Sequence, residues 1–233
     1  MKNVAIILAA GTGSRMGEGC PKQFLRLNGR TVVEYSVDAF ERCNAIDEIA
    51  VVMHPDHMQR MLQISKANNW AKLQHILAGG KERYLSTTAA IKAYSSYGEC
   101  NLLFHDAARP LVSDRIICDV ADALHTYNAV GVAVPMTDTV FITEGDTVRS
   151  IPDRRKLQRA QTPQGFRLST IQQAYDIALR DPDFVSTDDC GTVLRYLPNI
   201  TIYIVRGDER NVKLTYKEDL PLIEQILKKG DYQ

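Results

Sequence analysis

No stretch of this 233-residue chain approaches the roughly 18 consecutive apolar residues that a membrane-spanning helix needs, so no membrane partner is expected. Nor is there an excess of either charge. Lys and Arg total 28 and Asp and Glu total 28, so no global field would draw the protein to nucleic acid or to an anionic membrane. Any anion must be held by a local cluster. Cysteine is sparse and unpatterned: Cys20, Cys43, Cys100, Cys118 and Cys190 are scattered, odd in number and free of any C-x-x-C spacing. That argues against a disulfide framework and a zinc site, and fits reduced thiols in a cytoplasm. Internal repeats and low-complexity segments are absent as well. Lys2 and the apolar run Val4-Ala5-Ile6-Ile7-Leu8-Ala9-Ala10 superficially resemble a secretory leader. The run is short and flows into Gly11-Thr12-Gly13-Ser14-Arg15, so a buried first strand is expected.

What is present is a regular alternation. Strand-like runs at Val4–Leu8, Ile49–Met53, Leu73–Leu77, Leu102–Phe104, Val130–Val134 and Ile200–Val205 are separated by helical spacings. Val33/Val37/Phe40, Met58/Met61/Leu62/Ser65 and Ile117/Val120/Ala121/Leu124 are examples. The pattern predicts an α/β fold, a mostly parallel Rossmann-like sheet flanked by helices, as one domain over residues 1–233. Thr215 precedes Glu218 by three residues, a capping-box spacing that predicts a last helix starting near Tyr216. Between about 137 and 160 the alternation breaks. Thr139–Ile142 and Thr147–Ile151 flank Glu144-Gly145-Asp146, predicting a protruding β-hairpin arm, followed by the polar return Pro152-Asp153-Arg154-Arg155-Lys156. An arm too small for its own core must pack on something, either a partner subunit or its own chain.

The glycine-rich run Leu8-Ala9-Ala10-Gly11-Thr12-Gly13-Ser14-Arg15-Met16-Gly17, followed by Pro21-Lys22-Gln23, can bring backbone N–H groups against phosphates. It is neither a dinucleotide fingerprint, since its third glycine comes one place late, nor a Walker loop, since G-K-[ST] is missing. Arg15 and Lys22 give it one forked cation and one point charge, suited to a triphosphate. Asp106 follows the apolar strand Leu102-Leu103-Phe104, at the sheet edge where α/β proteins bind ligands, and can hold Mg²⁺ or another divalent cation beside phosphates. Gly79 and Gly80 can read a base edge at close range, with Ser86 adding a hydroxyl. An ordinary glycine turn with a serine cap fits the same residues. His105 reads as a structural histidine.

The run from Ala9 to Leu25 resembles the signature of the 2-C-methyl-D-erythritol 4-phosphate cytidylyltransferases and their relatives, the ribitol-5-phosphate cytidylyltransferases. The resemblance continues through His105-Asp106-Ala107-Ala108-Arg109-Pro110, Asp138-Thr139, Gln161-Thr162-Pro163-Gln164, Thr187-Asp188 and Asn211-Val212-Lys213-Leu214-Thr215. It implies a nucleotidyltransferase fold and transfer of CMP from CTP to an acyclic polyol phosphate, with release of pyrophosphate. Arg15, Lys22, Lys213 and Asp106 would be catalytic, Asp106 also holding the metal. Ala9, Ala10, Gly11, Gly13, Gly79, Gly80, Ser86, Asp106 and Ala107 would bind CTP. Arg109, Thr139, Arg154, Thr162 and Thr187 would bind the polyol phosphate, Arg154 reaching across a homodimer formed through the arm.

The acceptor is divided between two branches. His105–Pro110 and Arg159–Gln164 look like the methylerythritol branch of isoprenoid synthesis. Ser86-Thr87 departs from the Ser-Val usual in that branch, while Ile151–Arg154 and Thr187-Asp188-Asp189-Cys190 look like the ribitol branch, which serves teichoic acids and capsules, and the expectation leans to ribitol 5-phosphate. The chain ends at Gln233, so a reductase supplying ribitol phosphate is expected to be a separate protein. An activated-sugar nucleotidyltransferase and a non-catalytic nucleotide sensor are the competing classes.

Overall fold

The structure, a computed structural model, describes residues 1–11 and 21–229. Its first strand, β1 (Asn3–Ala9), is buried on both faces. The two-residue period sends Val4 and Ile6 into one core and Ala5, Ile7 and Ala9 into the other. A 3-10 turn at Lys22–Phe24 and the ribbon β2 (Arg26–Leu27) and β3 (Arg30–Thr31) lead into α1 (Val32–Arg42). Then come β4 (Glu48–Met53), α2 (Met58–Asn68), β5 (Leu73–Ala78), α3 (Arg83–Tyr94), β6 (Asn101–Asp106) and α4 (Asp114–Ala123). The chain continues as β7 (Ala129–Pro135), the hairpin β8 (Ile142–Glu144) and β9 (Thr147–Ser150), and β10 (Gln158–Arg167). It closes with α5 (Leu168–Ala178), α6 (Asp189–Tyr196), β11 (Ile202–Arg206) and α7 (Asp219–Lys229).

The main sheet has 7 strands in the order β11-β7-β10-β6-β1-β4-β5. All run parallel except β10, which is antiparallel to both β6 and β7. The α/β class and the mostly parallel sheet are therefore as expected. From β1 the chain winds outward through β4 and β5, then returns to β6 on the other side of β1. That reversal opens a crevice beyond the carboxyl ends of β1 and β6, the place where open α/β sheets bind ligands. Ala10 and Gly11 follow β1 there, and Asp106 ends β6 there.

The sequence does not predict β10. Its residues 161–166 are buried, yet Gln161, Thr162 and Gln164 are polar and Pro163 interrupts the run. The pairing with β7 shifts register between Gln161 and Gly165, an irregularity of the kind at which proline is tolerated inside a sheet. The last helix also starts later than the capping-box spacing predicts. Asp219, not Glu218, accepts the N–H groups of Thr215 (2.7 Å) and Tyr216 (2.8 Å), so the helix begins at Asp219. The hairpin forms with Gly145 at φ 56°, a value suited to a two-residue turn. Both its strands are exposed along their whole length.

Candidate active site

Beyond β1 and β6 lies a cavity of about 280 Å³. Ala9, Ala10 and Gly11 from the end of β1, Lys22 from the 3-10 turn, and Asp106 and Ala107 from the end of β6 line it. The loop before α3 adds Gly80, α3 adds Ser86, and Lys213 approaches from the segment before α7. These residues come from both ends of the chain and meet because two anchors hold their backbones. The Gln23 amide donates to the carbonyl of Ala9 at 2.8 Å, tying the 3-10 turn to β1. Leu214 is fully buried and donates its N–H to the Ala108 carbonyl at 2.8 Å, which aims Lys213 at Asp106.

Lys213 Nζ stands 2.7 Å from Asp106 Oδ2, and Lys22 Nζ donates to the Leu214 carbonyl at 3.3 Å. Burial alone would raise the Asp106 carboxyl, but Lys213 and Arg83 outweigh it and hold the group far below the ordinary carboxylate range. It is therefore a fixed anion. Gly79 does not line the cavity but lets Ala10 and Ser86, which do, close together: a Cβ there would lie 2.5 Å from Ala10 Cβ and 2.7 Å from Ser86 Oγ, closer than atoms pack. Its N–H is bound by the Met53 carbonyl at 2.8 Å.

His105 is fully buried, and burial pushes its pKa down to about 4, so the ring is neutral at pH 7. Its Nε2 is 3.0 Å from the Arg109 carbonyl and its Nδ1 is 3.1 Å from Thr162 Oγ1. Since a carbonyl can only accept, Nε2 carries the proton and Nδ1 accepts from the Thr162 hydroxyl. That hydroxyl also accepts the Asp106 N–H at 3.1 Å. Thr162 thus spends its one donor inward. The Arg109 guanidinium is likewise engaged, donating to the carbonyls of Asn211 (2.7 Å) and Ala160 (3.4 Å).

Arg109, Thr139, Arg154, Thr162 and Thr187 do not line the cavity. Thr139, Arg154 and Thr187 are exposed, and Arg154 donates to the Thr137 carbonyl at 3.1 Å. Arg15 and Gly13 lie outside the described residues.

The profile of the family described as IspD, 2-C-methyl-D-erythritol 4-phosphate cytidylyltransferase, matches residues 3–229. The chain belongs to the IspD family. It is 45% identical over 97% of its length to a 2-C-methyl-D-erythritol 4-phosphate cytidylyltransferase of Thermobifida fusca, covering 93% of that protein. It is 41% identical over 97% of its length to a bifunctional ribulose 5-phosphate reductase/CDP-ribitol pyrophosphorylase of Haemophilus influenzae, of which it spans 48%. Among solved structures it resembles 4-diphosphocytidyl-2C-methyl-D-erythritol synthase of Anaerococcus prevotii, with a TM-score of 0.85 and 30% identity, covering 97% of this chain and 96% of that one. This IspD-family chain is accordingly a cytidylyltransferase, an enzyme of the nucleotidyltransferase class.

Two residues of this IspD-family site carried no assignment in the sequence. Arg83, at the start of α3, lines the cavity; its Nη1 lies 2.7 Å from Asp189 Oδ2 and its Nε 3.6 Å from Asp106 Oδ1. Burial would lower the Arg83 pKa, but Asp189 and Asp106 raise it above the ordinary arginine value, so it stays charged. Asp189 is itself fully buried and accepts from the Thr87 hydroxyl (2.9 Å) and the Tyr175 hydroxyl (2.7 Å). The available signal was an arginine three residues after Gly80 and a second aspartate directly after Asp188, neither of which spacing distinguishes from a surface charge.

Proposed function

We propose that this protein transfers the cytidylyl group of CTP to 2-C-methyl-D-erythritol 4-phosphate, releasing pyrophosphate. The observation that carries the chemistry is the convergence of Lys22, Lys213 and Asp106 on one cavity at the sheet's switch point. The acceptor reading is supported by the family matched over residues 3–229 and by the Thermobifida relative.

This reverses the lean of the sequence toward ribitol 5-phosphate. That lean rested partly on Thr87 and the Thr187–Cys190 segment. Thr87 is fully buried and bonded to Asp189, so both serve to tie α3 to the start of α6 and say little about the acceptor. Ribitol 5-phosphate remains the second reading because of the Haemophilus relative.

Gly79, Gly80 and Ser86 would take the cytosine and ribose, with Ala9, Ala10, Gly11 and Ala107 forming the floor of the nucleotide site. The acceptor phosphate is already an anionic nucleophile, so no general base is required. Its oxygen attacks the α-phosphorus in line, the bond from that phosphorus to the bridging oxygen breaks, and pyrophosphate leaves with the electron pair. Lys22 and Lys213, with Arg15 from the glycine-rich run, neutralise charge on the α-phosphoryl group and the leaving pyrophosphate. Arg109, Thr139, Thr162 and Thr187, with Arg154 from a second subunit, are assigned to the polyol phosphate. The inward commitment of the Thr162 hydroxyl leaves it an acceptor lone pair, fit for a polyol hydroxyl rather than a phosphate oxygen.

Among the described residues no three His, Cys, Asp or Glu side chains converge to hold a metal. Asp106 alone fits a divalent cation of the Mg²⁺ kind, which takes one or two carboxylates and completes its shell with substrate phosphates and water. When bound, such a cation supplies charge neutralisation at the phosphate oxygens. Asp106 would hold it, and Lys213 would exchange its carboxylate partner for a phosphate.

Pyrophosphate release from CTP, measured with each polyol phosphate in turn, tests the reading. A higher kcat/KM with methylerythritol 4-phosphate is expected, and a preference for ribitol 5-phosphate would install the second reading.

A further inference from the structure

The site contains a carboxylate that no chemical step uses. Asp189 is fully buried at the start of α6, holding two hydroxyl donors on Oδ1 and the Arg83 guanidinium on Oδ2. Burying an ionised carboxylate is costly unless it is paired and hydrogen-bonded, and here both conditions are met. The far side of the same guanidinium faces Asp106. Asp106 thus has two cations, and they differ in kind. Lys213 rides on a four-carbon stem with its side chain 38% exposed, whereas Arg83 is pinned from behind by a buried anion.

We propose that Arg83, pinned by Asp189, is the positioning residue that keeps the Asp106 carboxylate in its metal-binding orientation once Lys213 leaves it for the nucleotide. This rests on the reading of Asp106 as the metal ligand. Lys213 Nζ and a cation on the phosphates would compete for one carboxylate, so loading the site breaks the 2.7 Å pair. Without a second restraint, Asp106 would then be free to rotate about its side-chain bonds. Arg83 supplies that restraint from Oδ1, the oxygen that Lys213 does not take. Asp189 draws the guanidinium back, so that it guides Asp106 at 3.6 Å without occupying it as a tight ion pair would. Charge and position make opposite predictions here. If Arg83 merely opposed the metal's charge, deleting it would tighten metal binding; if it positions the ligand, deleting it weakens metal binding.

The test is CTP binding by the full chain, followed by calorimetry in EDTA and across a Mg²⁺ series, with Mn²⁺ occupancy in the presence of CTP read by electron paramagnetic resonance. In Arg83→Met and Asp189→Asn, CTP affinity in EDTA is expected to be unchanged. The half-saturating Mn²⁺ concentration should rise about tenfold or more, the usual scale for residues that orient metal ligands. Tyr175→Phe, which removes one hydroxyl from Asp189 and keeps the ion pair, should shift in the same direction by less, and serves if Asp189→Asn does not melt cooperatively. Metal binding that is unchanged or tighter in Arg83→Met overturns the proposal. So does an equal loss of CTP affinity with and without metal, which would make Arg83 a direct nucleotide contact. Asp106→Asn separates the two levels. If it keeps the Mg²⁺ enhancement, the metal reading falls and this proposal with it; if it loses the enhancement while Arg83→Met keeps it, only the proposal falls.

Discussion

Lys213 Nζ and Asp106 Oδ2 stand 2.7 Å apart in the cavity, each neutralising the other. Lys22 approaches the same segment through the Leu214 carbonyl. The site therefore rests as a set of paired charges, and a triphosphate would act as a competitor for cations already engaged.

Lys22 lines the cavity and donates to the Leu214 carbonyl. Lys22→Ala is expected to lower turnover by about two powers of ten, the scale of losing one transition-state donor. Steady-state pyrophosphate release measures it, and near-normal turnover would remove Lys22 from the chemistry.

Leu214 sets the position of Lys213 from inside a satellite core that includes Leu27, Val32 and Ile223. Leu214→Ala should cost about 2–5 kcal/mol in urea-induced unfolding, as buried leucine truncations do. It should also lower kcat although no charge has been touched. Loss of stability with full retention of kcat would show that Lys213 finds Asp106 without this anchor.

Alanine at position 79 would place its Cβ against Ala10 and Ser86. Gly79→Ala is expected to raise the dissociation constant for CTP by about tenfold or more, a loss of roughly 1.4 kcal/mol. Calorimetric titration in EDTA reads this directly, and unaltered affinity would show that the wall relaxes.

At the opposite end of the sheet, Glu48 is buried at the start of β4, where it accepts from Lys2 and, at 2.5 Å, from the Tyr94 hydroxyl. Burial would raise its carboxyl, but the hydrogen bonds from Lys2 and Tyr94 outweigh that and lower it. A carboxyl whose folded pKa is depressed adds stability above its unfolded value of about 4.3, and that stability is lost as pH falls through the folded pKa. Glu48→Gln should destabilise the protein at pH 7 and flatten the acid limb of its stability profile. Chemical denaturation at pH 7 and at intervals below pH 5 gives both quantities. An acid limb identical to that of the unsubstituted protein would place the titration elsewhere.

The hairpin carries exposed Ile142 and Val148, with exposed Phe141 and Ile151 flanking it, and Arg154 follows. If it is a dimerisation arm, Ile151→Asp should yield a monomer by light scattering. Arg154→Ala should weaken the polyol phosphate and spare CTP. A fully active monomer would assign Arg154 to its own subunit.

What the sequence reveals here follows the range of the interactions. β1, β4, β5 and β6 were legible because a central parallel strand such as Ile49–Met53 is apolar on both faces, and Asp106 because a carboxylate ending such a strand must reach the crevice. β10 was hidden because its interior half is satisfied by long-range hydrogen bonds. Gln161 donates to the Asp208 carbonyl (2.8 Å), and Gln164 donates to Asp188 (2.7 Å), so polar residues sit where periodicity expects apolar ones. The start of α7 was misplaced because two adjacent residues, Glu218 and Asp219, could both cap it, and spacing favoured the wrong one. Arg83 and Asp189 were unreadable as a pair, since nothing local distinguishes a buried ion pair from two solvated charges.

The hydrogen bond between Thr87 and Asp189 also bears on how such enzymes can be recombined. Its ends lie 102 positions apart, on α3 and at the start of α6. A chimaera that imports the 187–190 segment from a relative while keeping this chain's α3 would inherit half of a matched pair. Unless the incoming residue can accept from Thr87, a buried hydroxyl is stranded, at about 1–3 kcal/mol. Positions 87 and 189 should therefore travel together in any exchange of acceptor preference, and measured separately their effects should not add.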